Sequence, residues 1–181
     1  MTALPAPADV IAFWSAAGYD RWFARDHGFD HQCRSCESAH LAAAGRELDG
    51  WMQTAEGALA LLLLLDQIPR NIYRGTAHAF ATDPLALRLA KAALARGLDR
   101  QVDDPLRLFF YLPFEHSERP DDQDRCVALA EAWGDTEATK WARVHHDIIA
   151  RFGRFPHRNP LLGRESTDEE RAFLAGGGFA G

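Results

Sequence analysis

The segment that most constrains the fold is an unbroken apolar run from Ala58 to Leu65, which is soon followed by Pro69. The run is rich in leucine and lacks β-branched residues, so it favours a helix over a buried strand. Because it is apolar on every side, we expect it to form the central and most buried helix. Proline lacks a backbone donor and clashes with the preceding turn, so Pro69 should kink or end that helix.

The remaining sequence predicts further helices, each with a recognisable start or end. Thr54 can cap the central helix, and Asp83-Pro84 and Asp104-Pro105 each place a capping residue before a proline suited to the first helical position. A long amphipathic helix is expected from about Thr136 to Phe152, and Ser166–Glu169 is typical of a capping box before a short last helix. Because no segment of useful length alternates polar and apolar residues with period two, the sequence predicts an all-α fold.

A weak internal echo indicates how these helices are arranged. A small residue, a glycine and Leu-Asp recur in AAAGRELD around Gly45 and in ALARGLD around Gly97. The echo hints at stacked helical hairpins, although it is not a strict repeat. No linker, low-complexity tract or charge run interrupts the 181 residues, so we expect a single all-helical domain over residues 1–181.

Composition narrows the partners and the compartment. The formal net charge is −6, and an acidic chain repels nucleic acid and anionic membranes unless its basic residues are segregated. The N-terminal MTALPAPADV lacks the basic and apolar parts of a signal peptide, and the apolar run is too short to cross a bilayer. We therefore expect a cytoplasmic protein with neither nucleic acid nor membrane among its partners. No phosphate-cradling glycine loop is present, and no motif implies a cofactor.

A first polar cluster, Asp66–Arg74, follows directly on the apolar run. If the chain stays helical past Pro69, Asp66 and Arg70 share one face of the helix. One interpretation is a ligand-binding wall held on a rigid helix. The other is a buried Asp–Arg pair, with amides satisfying the backbone groups that Pro69 frees. The polar side chains concerned are Asp66, Gln67, Arg70, Asn71 and Arg74.

A second cluster, Glu115–Glu118, follows Pro113 in the order Glu-His-Ser-Glu. A histidine beside carboxylates suits general acid–base catalysis or a metal shell, but the spacing matches no recognised metal motif. The alternative is that Glu115 and Glu118 pair with arginines and that His116 is a hydrogen-bonded loop residue. The sequence leaves both interpretations open.

A third cluster, Arg151–Pro160, holds three arginines and a histidine within eight residues. Such a cationic loop is unexpected in an acidic protein, and arginine forks suit carboxylate or phosphate groups. The loop therefore favours an anionic ligand, although the same arginines can neutralise Asp66, Glu115 or Glu118 inside the fold. His145, on the apolar stripe of the preceding helix, is placed to serve as a base beside the loop.

A Cys-x-x-Cys pair, Cys33 and Cys36, lies near His31 and His40 and invites a zinc or redox interpretation. The segment is periodic as a helix, however, and the remaining cysteine, Cys126, is distant. The sequence therefore predicts no metal site.

Three long stretches stand in a fixed order along the chain: LDQIPRNIYRGTAHAFATDPLA, LPFEHSE followed by DQ, and RFGRFPHRNPLLGRESTDEE. Together they resemble the bacterial family catalogued as domain of unknown function 924. The resemblance covers nearly the whole chain and implies an α-α superhelix of the tetratricopeptide-like type, but it brings no activity. Cys33 and Cys36 fall where larger apolar residues are expected, which weakens the metal interpretation further. The residues that match the family's polar motifs are Asp66, Gln67, Arg70, Asn71, Arg74, Asp83, His116, Ser117, Glu118, Gln123, His145, Arg154, His157, Arg158 and Asn159.

The first functional hypothesis is a polar pocket that binds a small anionic ligand. If the protein is an enzyme, the pocket serves an acid–base reaction such as hydrolysis. His116 or His145 is then the base, and Glu118 is its orienting residue or the acid. The expected ligand-binding residues, with the arginines as clamps, are Asp66, Gln67, Arg70, Asn71, Arg74, Ser117, Arg154, His157, Arg158 and Asn159.

Two other hypotheses stay open. Tetratricopeptide-like folds often bind peptides, so the chain can instead be a scaffold for a peptide or protein partner, with an exposed apolar groove. In the third hypothesis the polar motifs are purely structural. Substitution of Arg70 or Arg158 should then destabilise the fold by about 3–5 kcal/mol, as breaking a buried ion pair does.

Overall fold

The computed structural model describes residues 4–181, which form helices joined by short turns. These residues contain no β-strand, so the predicted all-α fold is confirmed. They gather into two compact units. The first comprises the chain up to Arg74 together with His78–Pro113, and the second comprises Gly75–Ala77 and Phe114–Gly181. The single domain and the tetratricopeptide-like superhelix stay predictions.

The helices follow one another along the chain with few long connections. Helices α1 to α7 lie in the first unit, α8 lies where the chain passes into the second, and α9 to α11 belong to the second. Their bounds are α1 Pro7–Ala17, α2 Tyr19–Trp22, α3 His27–Cys33, α4 Glu37–Ala44, α5 Ala55–Leu62, α6 Ile68–Ile72, α7 Asp83–Ala95, α8 Leu112–Glu115, α9 Pro120–Trp133, α10 Thr136–Phe152 and α11 Asp168–Ala175.

The apolar run forms most of α5 and the turn that follows it. Every residue from Ala58 to Leu65 is at most 1% exposed, which confirms the run as the buried centre of its unit. Thr54 caps α5 as expected, because its hydroxyl accepts from the Gly57 N–H at 3.0 Å. Gly57 is needed for close packing, since a Cβ there would lie 2.1 Å from the Trp51 carbonyl oxygen. Burying one leucine side chain contributes about 1.5–3 kcal/mol, so this helix dominates the stability of the first unit.

Three of the expected helix starts differ in detail. Helix α7 is preceded by Thr82 as its N-cap residue, and Asp83 is its first helical residue rather than its cap. The Asp104-Pro105 peptide is cis, and the chain continues as the 3-10 helix Leu106–Phe110 instead of an α-helix. The last helix has its capping box at Thr167 and Glu170, one residue later than predicted. In each case the local signal is present but the backbone geometry around it is different.

The second unit is built on two long helices. Helices α9 and α10 pack against each other, and α10 begins after the Asp135 cap and ends at Gly153, where φ is +69°. The predicted span of this helix is therefore confirmed. Ile148, Ile149 and Phe155 form the apolar core, with Phe152, Phe173 and Phe179 packed around them. Within residues 4–181, none of the helices combines the length and apolar character that a membrane span requires.

Candidate functional site

Pro69 widens the central helix without ending it. The backbone forms a π-helical turn at Leu63–Gln67, and α6 continues with Pro69 in its first turn. Because Pro69 has no N–H, it cannot donate to the carbonyl of Leu65, four residues earlier, or to that of Leu64 at the five-residue π spacing. The missing N–H would have served one of these two carbonyl groups, and both take donors from elsewhere in the first unit.

Those donors are side chains distant in the sequence. The Nδ1 atom of His40 lies 2.8 Å from the Leu64 carbonyl oxygen, and the Thr82 hydroxyl donates to the Leu65 carbonyl oxygen at 2.5 Å. Burial lowers the pKa of His40, so its ring is neutral and donates through Nδ1. The π turn thus holds the first polar cluster in a fixed backbone frame.

Arg70, predicted as a ligand clamp, lies between two carboxylates of its own unit. Its guanidinium donates to both oxygens of Asp83, at 2.9 and 3.0 Å, and its Nη1 lies 3.3 Å from Asp66 Oδ1. Asp66 is 1% exposed and also accepts from the Gln67 amide at 2.6 Å. These contacts are those of the buried Asp–Arg pair that was the alternative interpretation of this cluster.

Arg74 is engaged in the same way. It donates to both oxygens of Asp30 at 2.8 Å and to the side-chain oxygen of Asn71 at 3.1 Å. The Asn71 amide in turn donates to the Gln67 carbonyl oxygen at 3.2 Å. The first cluster is therefore a network in which cations meet carboxylates of the chain and amides meet its backbone.

The cysteine pair is buried and unreactive. Burial raises the pKa of Cys33 to about 12 and also raises that of Cys36, so both thiols stay protonated. His40, four residues after Cys36, is hydrogen-bonded to the Leu64 carbonyl oxygen. Among residues 4–181, no group of three or more His, Cys, Asp or Glu side chains is arranged to hold a metal ion.

In the second unit, His145 is a buried histidine in a defined tautomer. It is 6% exposed on α10, and its Nδ1 lies 2.9 Å from the Trp141 carbonyl oxygen and 3.3 Å from Glu115 Oε1. Both neighbours are acceptors, so Nδ1 carries the proton and Nε2 holds the free lone pair. The Nε2 atom makes no hydrogen bond within residues 4–181. The orientation of the His145 ring is therefore fixed through Nδ1.

The charge state of His145 follows from its surroundings. Burial lowers its pKa to about 3, and positive charge on His116, Arg158 and His157 lowers it in the same direction. The hydrogen bond to Trp141 opposes this shift but does not outweigh it. His145 is neutral at every physiological pH.

His116 and His157 lie close to His145, and we call these three residues with Glu115 the histidine cluster. The ring centroids of His116 and His145 are 6.5 Å apart. Phe155 joins His145 and His157, at 5.5 and 5.7 Å, and the Arg158 guanidinium lies 4.6 Å above the Phe155 ring. The second and third sequence clusters thus meet around α10 in one unit.

Gln123 holds the loop that carries Glu115 and His116. Its amide nitrogen donates to the carbonyl oxygens of Glu115 and Ser117, at 2.7 and 2.6 Å, and its side chain is fully buried. Ser117 donates to Asp122 at 2.8 Å, so its hydroxyl also serves the loop. Among the family-like residues, Gln123 was not predicted as a site residue, although its inward place on α9 was the available signal.

Arg154 is paired inside the second unit. It donates to both oxygens of Glu170, at 2.6 and 2.8 Å, and Asn159 donates to the same carboxylate at 3.2 Å. Glu170 is 2% exposed, and the hydrogen bond from Arg154 lowers its pKa to about 2. Two predicted ligand contacts, Arg154 and Asn159, therefore fix a buried carboxylate at the start of α11.

Glu118 is held by Arg164, a partner that the sequence did not reveal. Arg164 donates to both oxygens of Glu118, at 2.7 and 2.9 Å, and the Phe155 N–H donates to Oε1 at 2.8 Å. Burial alone would raise the pKa of Glu118, but these donors hold it below its usual value. Glu118 is thus an ionised residue that ties two loops together, and Glu115 is the carboxylate beside His145.

Two surface cavities lie apart from the polar clusters described above. One of about 270 Å³ is lined by residues of α1 and of the segment around Cys36, and one of about 400 Å³ lies at the turn between α9 and α10. Neither is lined by a member of the histidine cluster. Within this cluster, His145 and Glu115 are each 6% exposed, so they lie beneath the protein surface.

Fold and site together define an all-helical protein with a neutral, oriented histidine enclosed by cationic and aromatic side chains. Residues 10–178 match the model of the family described as bacterial protein of unknown function (DUF924), and the chain belongs to this family. A solved structure of a protein of unknown function from Agrobacterium tumefaciens is similar, with 52% sequence identity and a TM-score of 0.89. The similarity covers 93% of this chain and 96% of that one. No curated protein matches the chain.

Proposed function

We propose that the second unit binds a small anionic molecule at the histidine cluster and that His145 acts there as a general base. The observation that carries the proposal is the arrangement of His145 itself. Its Nδ1 proton is directed at the Trp141 carbonyl, while Nε2 makes no hydrogen bond within the described chain. A buried histidine with one nitrogen fixed and the other available is the arrangement that proton transfer requires.

Glu115 suits the role of orienting residue. Its carboxylate lies 3.3 Å from Nδ1 of His145, on the side away from the free lone pair. When Nε2 takes a proton, the positive charge that forms on the ring is stabilised by this carboxylate. General-base catalysis of this kind typically contributes about 10²–10⁴-fold to a rate. Hydrolysis of a small anionic substrate is a reaction that such a base can serve.

The charges around His145 favour an anion as the ligand. Arg158, His116 and His157 all lower the pKa of His145 through their positive charge. An anion bound beside them offsets that charge and raises the pKa of His145 toward neutrality. The ligand therefore converts a weak base into an effective one, which couples binding to catalysis. Arg158, a planar fork beside the cluster, replaces Arg70, Arg74 and Arg154 as the main proposed anion contact.

A calorimetric and thermal-shift screen tests the proposal. Inorganic phosphate, small carboxylates and phosphate monoesters are added to the protein at slightly acidic pH. A ligand present at about a hundred times its Kd stabilises the fold by about 2.7 kcal/mol. Because binding raises the pKa of His145, proton uptake should accompany it and make the measured heat depend on the buffer.

His145→Gln should remove the buffer-dependent heat and weaken ligand stabilisation, because glutamine neither titrates nor carries the charge. His146→Gln is the matched control, since His146 follows on the same helix but pairs with Asp124 at the surface. An equal response in both variants would contradict the role of His145. No response to any anion would contradict the proposal and favour a scaffold that binds a peptide.

A further inference from the structure

The segment that follows α11 is arranged as a hinge. Residues 176–178 are all glycine, and Gly177 has φ of +82°, a conformation that glycine adopts without strain. The Gly176 N–H donates to the Ala172 carbonyl at 2.9 Å, and the Gly178 N–H donates to the Phe173 carbonyl at 3.0 Å. These bonds fix the segment to the end of α11 as far as Gly178.

Beyond Gly178 the backbone contacts change in kind. Residues 179–181 make no backbone hydrogen bond to any other part of residues 4–181. They are held by packing contacts, since Phe179 lies against the apolar core formed by Ile148, Ile149 and Phe155 as well as against nearby rings. The Phe179 ring centroid lies 4.5 Å from that of His145 and 5.3 Å from that of His157, and 6.2 Å from that of Trp141. Gly181 packs on His157 so closely that an added Cβ would lie 3.0 Å from its ring.

We propose that Phe179 is a displaceable plug of the histidine cluster. Residues 179–181 close the cluster by holding the Phe179 ring against His145 and His157, and they open by rotation of the chain beyond the Gly178 N–H, the last bonded donor of the segment. A role for this opening in admitting the anionic ligand rests on the proposed function. The covering of His145 by Phe179 stands on the ring contacts themselves.

Three observations support displacement over a fixed structural role. The ring is attached through glycines, which leave its backbone wide freedom. No main-chain hydrogen bond has to break when residues 179–181 leave, so only the packing of Phe179 and Gly181 opposes opening. The closed arrangement leaves His145 only 6% exposed, so most of its ring is shielded from a ligand.

The accessibility of His145 to a small reagent tests the plug without knowledge of the ligand. Diethyl pyrocarbonate carbethoxylates unprotonated imidazole nitrogens, and fragment-ion mass spectrometry resolves neighbouring histidines. In Phe179→Ala we expect the modification rate of His145 to rise at least about tenfold, because the ring that covers it is gone. Phe179→Trp, which keeps an aromatic ring, should leave the rate close to that of the wild type.

Two histidines of the same chain serve as internal controls. His146 is partly exposed on the surface of α10, so its rate should not change. His40 is 4% exposed in the first unit, and its rate would rise only if the variant unfolded. If Phe179→Ala also exposes His40, the milder Phe179→Leu replaces it in the comparison.

An unchanged rate at His145 in folded Phe179→Ala and Phe179→Leu would overturn the plug. This outcome is independent of the proposed function, which fails if His145→Gln keeps the ligand response of the wild type. If both proposals hold, an anionic ligand bound to the wild type should shift Phe179 resonances, and Phe179→Ala should bind the same ligand faster. Faster binding is expected because opening no longer precedes it.

Discussion

Arg70 lies between Asp66 and Asp83, and its removal takes away the cation that offsets two close negative charges. We predict that Arg70→Gln lowers the free energy of unfolding by about 3 kcal/mol, the lower end of the range for breaking a buried pair. Urea denaturation followed by circular dichroism measures this. The side chain of Arg70 is 19% exposed and that of Asp66 is 1% exposed, so solvent screens the pair little.

The matched control is another short ion pair that lies at the surface. Arg143 donates to Glu131 at 2.6 Å, but the two side chains are 63% and 47% exposed. Arg143→Gln should therefore change stability by at most about 1 kcal/mol. If the two substitutions cost the same, burial is not what gives the Arg70 network its strength, and a ligand-binding role for Arg70 regains support.

The arginines show what single residues reveal before a structure is known. Their clustering was evident in the sequence, and both uses of them, ligand clamp and internal pair, could be stated. Their partners could not be identified, because Arg164 and Glu118 lie 46 positions apart and Arg74 and Asp30 lie 44 apart. Charge pairs at such separations depend on how the chain folds, and no local pattern encodes them.

The π turn at Leu63–Gln67 leads to a prediction about the helix that follows it, α6. Thr82 donates to the Leu65 carbonyl, the group that Pro69 cannot serve at the α-helical spacing. We predict that Thr82→Val, which removes the hydroxyl but nearly keeps the shape, destabilises the protein by about 1–3 kcal/mol. Chemical denaturation measures the loss. Hydrogen exchange at the amides of α6 should also accelerate, because the turn that leads into this helix loses its support.

Thr139→Val provides the control for this substitution. The Thr139 hydroxyl also donates to a carbonyl, that of Asp135, at 2.7 Å. There the carbonyl keeps its hydrogen bond from the Thr139 N–H at 3.0 Å, so the substitution leaves no group unsatisfied. A loss in Thr82→Val no greater than that in Thr139→Val would show that the Leu65 carbonyl finds another donor.

Elements whose signals are local were predicted well. The leucine-rich run, the Thr54 cap and the span of α10 depend on residues within one helix and its ends, and all three are confirmed. The response to Pro69 was only partly foreseen. A disturbed helix was expected, but the donors that repair it are His40 of α4 and Thr82, the residue before α7, and they leave no trace in the local sequence.

At the scale of the whole molecule, the fold class followed from periodicity and the candidate site did not. Helical spacing recurs throughout the chain, so an all-α fold could be inferred without long-range information. Which polar residues meet is set by packing. The histidine cluster joins residues from α8, α10 and the late loop, and its Phe179 cover comes from a glycine-rich segment that the sequence marks only as a tail.

The last prediction concerns how the stability of the whole protein depends on pH through a single residue, His145. His145 has a pKa of about 3 in the folded protein against 6.5 when exposed, so below 6.5 the unfolded chain binds the extra proton. Stability contributed by the neutral ring is therefore complete above pH 6.5 and is lost progressively as the pH falls toward 3. At about pH 5 the loss amounts to about 2 kcal/mol.

Glu170 contributes to the pH dependence of stability in a lower pH range. Its pKa is about 2 when folded and 4.5 otherwise, so its contribution is complete above pH 4.5 and is lost as the pH falls toward 2. The pH interval from 6.5 to 4.5 contains the loss from His145 but not that from Glu170, so the two contributions can be measured separately. Between pH 6.5 and 4.5, His145→Gln should flatten the curve of unfolding free energy against pH, whereas Arg154→Gln should leave its slope intact. A wild-type curve already flat in this interval would mean that His145 is not held neutral, and the base proposed for the histidine cluster would lose its physical ground.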